Sequence, residues 1–243
     1  MNNLALSNGL LVFLLTLVIS MFVVYKSYQV SVDSLNTEIY SNMSRVVDMV
    51  STIVDADLHR KFVADPSLEN SPEYIRYQIA FSKILEVVGK DFSYIYSIVY
   101  NNGKYFYVLD SSPADHPNSM KLMDEYSDAP DILLEAYRKQ IKAQTTEPYT
   151  DSMGTFITSY SPLKDETGQM YAMFAIDMEY AVYQEKIQPI NNAAYTGIIT
   201  SLIISFVLGV FVGVGKHLKS EIYKSKEFNI LKLKGGKKKD VTD

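Results

Sequence analysis

The sequence contains no cysteine, no tryptophan and only three histidines among its 243 residues. Without cysteine the chain can form neither a disulfide framework nor a thiolate metal site. His59, His116 and His217 are far apart and lack the spacing of metal ligands. No glycine-rich phosphate loop or nucleophile elbow occurs either. These absences argue against an enzyme and predict a binding protein with no cofactor and no metal.

Charge is absent from the N-terminal segment. Residues 1–25 carry no charged side chain, and from Gly9 to Tyr25 they are almost entirely apolar. That length is close to the roughly 20 apolar residues that a membrane-spanning helix needs. A cleaved signal peptide would need a basic start and a small-residue cleavage site, and both are missing here. Residues 1–25 are therefore predicted to be an uncleaved transmembrane anchor.

A second uncharged run, residues 195–215, is also long enough to cross a membrane. The tail that follows, residues 216–243, holds nine lysines and four acidic residues. An excess of lysine marks the cytoplasmic side of a span. The pattern predicts two spans in the cytoplasmic membrane with both termini inside, and an extracytoplasmic domain over residues 26–194.

The charge of the chain is unevenly distributed. Residues 26–194 hold 14 basic and 24 acidic side chains, a net charge of −10, while the tail has a net charge of +5. An acidic exterior argues against nucleic acid as a partner, and the basic tail is suited to anionic lipid of the inner leaflet. The lipid bilayer is thus the first predicted partner. About 170 residues are enough for one hydrophobic core.

The outer domain begins with a helical pattern. Residues 26–62 contain neither glycine nor proline. Apolar side chains recur there every three or four residues, at Leu35, Ile39, Met43, Val46, Val50 and Ile53. This spacing predicts one long helix that continues out of the membrane, packs on its own domain and ends before Pro66. The same spacing suits a seam between two helices, so a homodimer is a second possibility.

A second helix and a hairpin are predicted next. Ser71 and Pro72 are typical of a helix start, and the helix should extend to about Val88. Alternation then replaces the helical period on both sides of Asn102-Gly103, a dipeptide that favours a tight hairpin. On each strand, the alternation places every second side chain on one face. These are Phe92, Tyr94, Tyr96, Ile98 and Tyr100 on the first strand and Tyr105, Tyr107 and Leu109 on the second.

Tyrosines on one face of a sheet are most often part of the core, with their hydroxyls at its edge. The alternative is that Tyr94, Tyr96 and Tyr107 form the wall of a ligand pocket.

The remaining segments complete an α+β prediction. Residues 130–143 read as a short amphipathic helix, and two further strands end near Leu163 and Met178, joined by a turn at 165–168. The expected fold is an antiparallel sheet that carries helices on one side.

The segments YIYSIVYNNGKYFYVLDSSP and EPYTDSMGTFITSYSPLKDETGQMYAMFAIDM, with the long helix before them, resemble a known family. Over roughly residues 30–185 the chain is similar to the extracytoplasmic Cache domain, the PAS-like sensor module of bacterial chemoreceptors, histidine kinases and diguanylate cyclases. The resemblance implies a PAS-like sheet whose pocket binds a small molecule and displaces the helix that leads into the membrane.

In amine-recognising members of that family, a tyrosine and two aspartates hold the ammonium group of the ligand. Tyr149, Asp151 and Asp177 stand at the matching positions. Two carboxylates and an aromatic face can replace the water around a cation. The structural alternatives are that Asp177 caps a helix beginning near Glu179 and that Asp151 makes a turn with Gly154.

The other half of the family pattern, an arginine and an aromatic pair that clasp a carboxylate, is missing. Asp131, Leu133 and Leu134 stand there by rough alignment. This difference argues against free amino acids as ligands. Arg138 or Lys142 could take over the role, or each could be a solvated surface charge.

Small residues recur every fourth position in the second apolar run, at Gly197, Ser201, Ser205, Gly209 and Gly213. Such a ribbon allows helix backbones to approach closely. It predicts packing against the first span, a second copy or a partner protein.

The sequence therefore predicts a membrane sensor for a small polar or cationic ligand. The alternative is an accessory subunit that uses the fold as an assembly surface in an envelope complex. Residues 216–243 contain no signalling domain, so we expect either that the chain is a fragment or that it acts on a partner.

Overall fold

The structure, a computed structural model, describes residues 3–112, 116 and 119–236. The chain divides into two compact units. The first unit comprises Met1–Val32 and Pro189–Asp243, which include both long apolar runs. The second unit, Asp33–Gln188, is the mixed helix and sheet domain.

The regular elements follow one another in an order that alternates helices with hairpins. They are α1 Asn3–Ser51, α2 Ala56–Ala64, a 3-10 helix Pro66–Asn70, α3 Pro72–Val88, β1 Tyr94–Asn101, β2 Lys104–Asp110, α4 Asp131–Lys139, β3 Ala143–Gln144, β4 Tyr149–Asp151, β5 Gly154–Lys164, β6 Met170–Glu179 and α5 Tyr180–Gly236.

The sheet has six strands in the order β2-β1-β6-β5-β3, and β4 also pairs with β5. Every pairing is antiparallel. The last strand of the chain thus lies at the centre, between the first hairpin and β5. The predicted α+β fold, with a PAS-like antiparallel sheet and a long N-terminal helix, is confirmed.

Local signals predicted several elements correctly. The second helix begins at Pro72 after the Ser71 cap and ends at Val88. Asn102 and Gly103 have φ angles of 51° and 86°, as a tight hairpin turn with positive φ at both positions requires.

The sheet is covered on both faces, so the prediction of helices on one side is wrong. One face packs with α1, α2 and α3 around Met43, Phe62, Phe81 and Phe174. The other face packs with α4, through a smaller set that includes Leu133. Residues 172–178 of β6 are all buried, which explains why β6 reads as a continuous apolar run.

A β-bulge divides the second strand between these faces. Tyr96 pairs with Asp110 and Ile98 with Tyr107, so β2 has one residue more than β1 over this stretch. Leu109 therefore joins the core beneath α1–α3, while Tyr107 faces α4. The prediction that Tyr107 and Leu109 share a face is wrong for this reason.

Two predicted helices are shorter than expected. The long first helix ends at Ser51 rather than near residue 62, because Asp55 caps a new helix by accepting the Leu58 N–H at 2.8 Å. Ile53 lies in the break and is 43% exposed. Helix α4 ends at Lys139, where Gln140 adopts a left-handed conformation, and the short strand β3 follows it.

A buried histidine ties helix α2 to the bulge. His59 Nε2 lies 2.9 Å from Ser97 Oγ on β1, and Ser97 Oγ also accepts the Leu109 N–H at 3.0 Å. His59 and Ser97 are fully buried. Burial, with a smaller effect of the Arg60 charge, lowers the pKa of His59 to about 3, so the imidazole is neutral.

We predict that Ser97→Ala destabilises the chain by about 2 to 4 kcal/mol, because it leaves the buried Leu109 N–H and His59 Nε2 without their partner. Thermal unfolding of the full chain in detergent micelles measures this loss. Ser67→Ala, at an exposed bond to Asp65, is the matched control and should change the midpoint little. Equal effects of the two changes would contradict the prediction.

Candidate functional site

The central strand, β6, carries a carboxyl group on its α4-side face. Asp177 on β6 is directly opposite Tyr94 on β1 and Thr158 on β5. Because β6 is the central strand, this position is covered from both sides, and Asp177 is only 4% exposed.

Hydroxyl groups from both neighbouring strands bind this carboxyl group. Thr158 donates to Asp177 Oδ1 at 2.6 Å, and the Tyr96 hydroxyl donates to the same oxygen at 3.3 Å. Asp177 lies inside β6, and α5 begins only at Tyr180. The alternative that Asp177 caps a helix is therefore wrong.

The hydrogen bonds extend from Thr158 to the second predicted aspartate. Thr158 Oγ1 lies 2.9 Å from the Tyr149 hydroxyl, which accepts from Tyr160 at 3.3 Å. The Tyr126 hydroxyl is 3.5 Å from that of Tyr149 and donates to Asp151 Oδ2 at 3.0 Å. Asp177 and Asp151 thus lie at the two ends of one network of hydroxyl groups.

Asp151 has two roles, one at each carboxylate oxygen. Its Oδ1 accepts the N–H groups of Met153 and Gly154 at 2.9 and 3.1 Å, which forms the turn into β5. Its Oδ2 faces the tyrosines. The turn alternative and a position in the cluster therefore both hold for this residue.

Aromatic rings lie beside these polar groups. The Tyr107 ring lies 5.4 Å from that of Tyr96 and 4.7 Å from that of Tyr126. Tyr94 is on the same face, with its ring 5.8 Å from that of Phe156. The polar cluster, as used below, comprises Asp177, Thr158, Tyr96, Tyr107, Tyr126, Tyr149, Tyr160 and Asp151.

Five of the six residues predicted to contact a ligand are therefore brought together, and Tyr94 lies beside them. Sequence reasoning missed Thr158, Tyr160 and Tyr126. The alternation of β5 would have revealed the first two, which share a face. Tyr126 lies in an irregular segment that bridges to β2 at Phe106, so no periodic signal identifies it.

Burial controls the charge of this cluster. It raises the pKa of Asp177 to about 8, and the nearby Asp151 charge adds to the shift, while the bonds from Thr158 and Tyr96 oppose it. Burial also raises the pKa of Tyr107, Tyr126 and Tyr149. At neutral pH Asp177 is mostly protonated and the tyrosines are neutral.

Basic side chains do not neutralise the two aspartates. Among the described residues, no lysine or arginine forms an ion pair with Asp177 or Asp151. Lys142 Nζ instead binds the Asp48 carboxylate at 2.5 and 2.8 Å. Arg138 lines a separate surface hollow with Tyr100 and other side chains of the α4 region.

The residues at the position of the carboxylate clasp belong to α4. Leu133 is fully buried in the core beneath that helix, and Leu134 and Asp131 line the same hollow as Arg138. In the part of the chain that the structure describes, no group of three or more acidic or histidine side chains has a metal-binding arrangement.

The first unit contains two helices that are long and apolar enough to cross a membrane. Their most apolar windows have mean hydropathies of 2.3 and 2.5, and only 6% and 22% of those windows is buried. A core helix of a soluble protein would be mostly buried.

Within this unit, the predicted small-residue ribbon lies against α1. A Cβ added at Gly209 would be 2.8 Å from the Gly9 carbonyl oxygen and from Phe13 Cβ, and one at Gly197 would be 3.0 Å from Val24. Ser201, Ser205, Gly209 and Gly213 are buried. The two backbones therefore approach closely at these glycines.

Comparison with known proteins found bacterial proteins that are similar to this chain in sequence or in structure. No family model matches the chain. A probable methyl-accepting chemotaxis protein of Bacillus thuringiensis subsp. konkukian (strain 97-27) is 38% identical over 61 residues, which are 24% of this chain and 10% of that protein.

Among solved structures, the ligand-binding domain of the Campylobacter jejuni chemoreceptor Tlp3, in complex with L-valine, is 12% identical with a TM-score of 0.42, and the match covers 77% of this chain and 66% of that one. The E. coli DcuS sensor domain is 19% identical with a TM-score of 0.33, over 58% of this chain and 98% of that domain. The chain is similar to bacterial sensor domains.

We predict that Asp177→Asn changes the pH dependence of stability. The pKa of Asp177 is about 8 in the folded chain and near 4 when unfolded, so between those values the unfolded chain binds fewer protons and the wild-type chain loses stability as pH rises. Asparagine does not titrate. The thermal midpoint of the variant relative to wild type should therefore increase from about pH 4 to about pH 8. A difference that is constant with pH would contradict this.

We also predict that Gly209→Ile separates the two apolar helices, because the added side chain has no room beside Gly9. Leu10 and Val210 line one hollow beside this contact, and because the chain lacks cysteine, Leu10→Cys with Val210→Cys introduces two thiols with no competing cysteine. Oxidation in membranes should give much less crosslinked product with Gly209→Ile. Val207→Ile, at an exposed position of the same helix, should crosslink like the parent pair.

Proposed function

We propose that this chain is a membrane-anchored sensor whose extracytoplasmic domain binds a small organic cation at the polar cluster. The observation that carries the proposal is the environment of Asp177. It is a buried carboxyl group with two hydroxyl donors, no basic partner among the described residues, and aromatic rings around it. Ionising such a buried group costs free energy unless a charge partner compensates it.

A cation provides that compensation. An ammonium group near Asp177 favours the ionised carboxylate, and the electron-rich tyrosine rings of the cluster would add cation–π attraction. Tyr149 and Asp151 are partly exposed, so they form the side from which a ligand can enter. The net charge of −10 on residues 26–194 increases the local concentration of cations.

The ligand class follows from what surrounds the cluster. Lys142 is paired with Asp48, and Arg138 lines a different hollow. A ligand carboxylate would therefore meet Asp151 and tyrosines rather than a basic clasp. These contacts favour a simple amine over a free amino acid.

The membrane arrangement belongs to the same proposal. Both apolar helices would span the cytoplasmic membrane, with residues 26–194 outside and the lysine-rich tail inside. Ligand binding would shift the helices that lead into the spans. The signal would pass to a second copy of the chain or to another membrane protein, since exposed apolar side chains of α1 and α5 provide packing faces.

We predict that amines stabilise the full chain in detergent micelles. Ethanolamine, putrescine and tyramine should raise the thermal midpoint more than alanine or succinate does. Asp177→Asn and Asp151→Asn should weaken binding at least tenfold, equivalent to about 1.4 kcal/mol or more. Affinity should rise with pH up to about 8, because the bound form needs Asp177 ionised.

Asp165→Asn is the matched control. Asp165 forms a surface ion pair with Arg60 in the turn between β5 and β6, so its loss should leave amine binding unchanged. Absence of any amine effect in the wild-type chain would refute the sensor proposal and would favour the assembly-surface alternative.

A further inference from the structure

Two threonines connect the polar cluster to the edge of the sheet. Thr145 donates its N–H to the Thr158 carbonyl oxygen at 2.9 Å, and Thr158 donates its N–H to Thr145 Oγ1 at 2.9 Å. Thr158 is fully buried and Thr145 is 5% exposed. These two hydrogen bonds leave Thr158 little freedom to move without Thr145. The Thr158 hydroxyl group meanwhile donates to Asp177.

The carbonyl group of Thr145 is bound by helix α1. The Tyr40 hydroxyl donates to the Thr145 carbonyl oxygen. One helical turn earlier, Asn36 Oδ1 accepts from the Tyr183 hydroxyl of α5 at 3.0 Å. A single turn of α1 therefore holds both the sheet edge and α5, within the second unit.

We propose that Tyr40 couples α1 to the ligand site through the threonine pair Thr145 and Thr158. The inference rests on the proposed function, because it assigns how occupancy of that site reaches a helix. It is specific to the Tyr40 hydroxyl group, the contact that joins α1 to this pair by a hydrogen bond.

The proposed chain of movements starts at the Asp177 carboxyl group. A bound cation leaves Asp177 ionised, and a hydrogen bond to an ionised acceptor is shorter and stronger than one to a neutral acid. Thr158 is drawn towards Asp177, and the paired backbone moves Thr145 with it. The Tyr40 hydroxyl follows the Thr145 carbonyl, so α1 is displaced relative to α5 at the turn where Asn36 binds Tyr183.

A double-mutant cycle tests this connection without a ligand. Thermal midpoints are measured for the full chain in detergent micelles with Tyr40→Phe, Asp177→Asn and both changes together. Effects at separated sites with no shared partner add. The connection predicts clearly non-additive shifts, and additive shifts would overturn it.

Tyr77→Phe is the control for this cycle. It also removes a tyrosine hydroxyl bonded to the backbone, here to the Asp55 N–H at 3.0 Å, on the α3 side of the sheet. Tyr77→Phe should be additive with Asp177→Asn. Equal non-additivity with Tyr77→Phe would show a general effect and would also overturn the proposal.

A second measurement follows the helices themselves. Glu38→Cys and Gln184→Cys place spin labels at exposed positions of α1 and α5 in a chain without other cysteines. Ethanolamine, putrescine or tyramine should change the distance between the labels. With Tyr40→Phe, the amine should still raise the thermal midpoint while the distance change falls by at least half.

A full distance change in Tyr40→Phe would overturn the coupling role. If none of the three amines binds the wild-type chain, the proposed function fails, and the double-mutant cycle still decides whether Tyr40 and Asp177 are coupled. The two failures are therefore distinguishable.

Discussion

The burial of one carboxyl group at the centre of the sheet is the constraint on which the polar side of this domain depends. Asp177 is on the central strand, β6, and is only 4% exposed, so water cannot solvate it. It is compatible with the fold because Thr158 and Tyr96 donate to it and because it holds its proton at neutral pH. The tyrosines around it extend this uncharged hydrogen-bond network as far as Asp151.

The two faces of the sheet differ in composition and in the helices that cover them. The face beneath α1, α2 and α3 is a conventional apolar core in which the buried His59–Ser97 pair joins α2 to the sheet. The opposite face is rich in tyrosine and is covered by the short helix α4. The bulge in β2 makes this division possible, since it directs Leu109 to the core while Tyr107 stays with the polar cluster.

Prediction from the sequence succeeded where the determinants are local. The Ser71-Pro72 start of α3 and the Asn102-Gly103 turn act within a few residues, and both are present as expected. Prediction failed where a distant contact decides. Helix α1 ends in a segment without glycine or proline, where the Tyr77 hydroxyl of α3 accepts the Asp55 N–H, and only pairing with β5 makes a strand of Ala143–Gln144. The approach of Tyr126 to Asp151 likewise depends on a bridge to β2 that has no periodic pattern.

By itself, the sequence determined the two apolar runs, the order of the main helices and hairpins, and the residue types suited to a cation, because hydropathy, period and turn chemistry are properties of neighbouring residues. The tertiary structure alone decided that Asp177 is buried opposite Thr158, that Tyr126 completes the cluster and that Tyr40 reaches the sheet edge. Those contacts join residues far apart in the chain, so they depend on how the strands and helices pack against one another and not on a pattern among neighbouring residues.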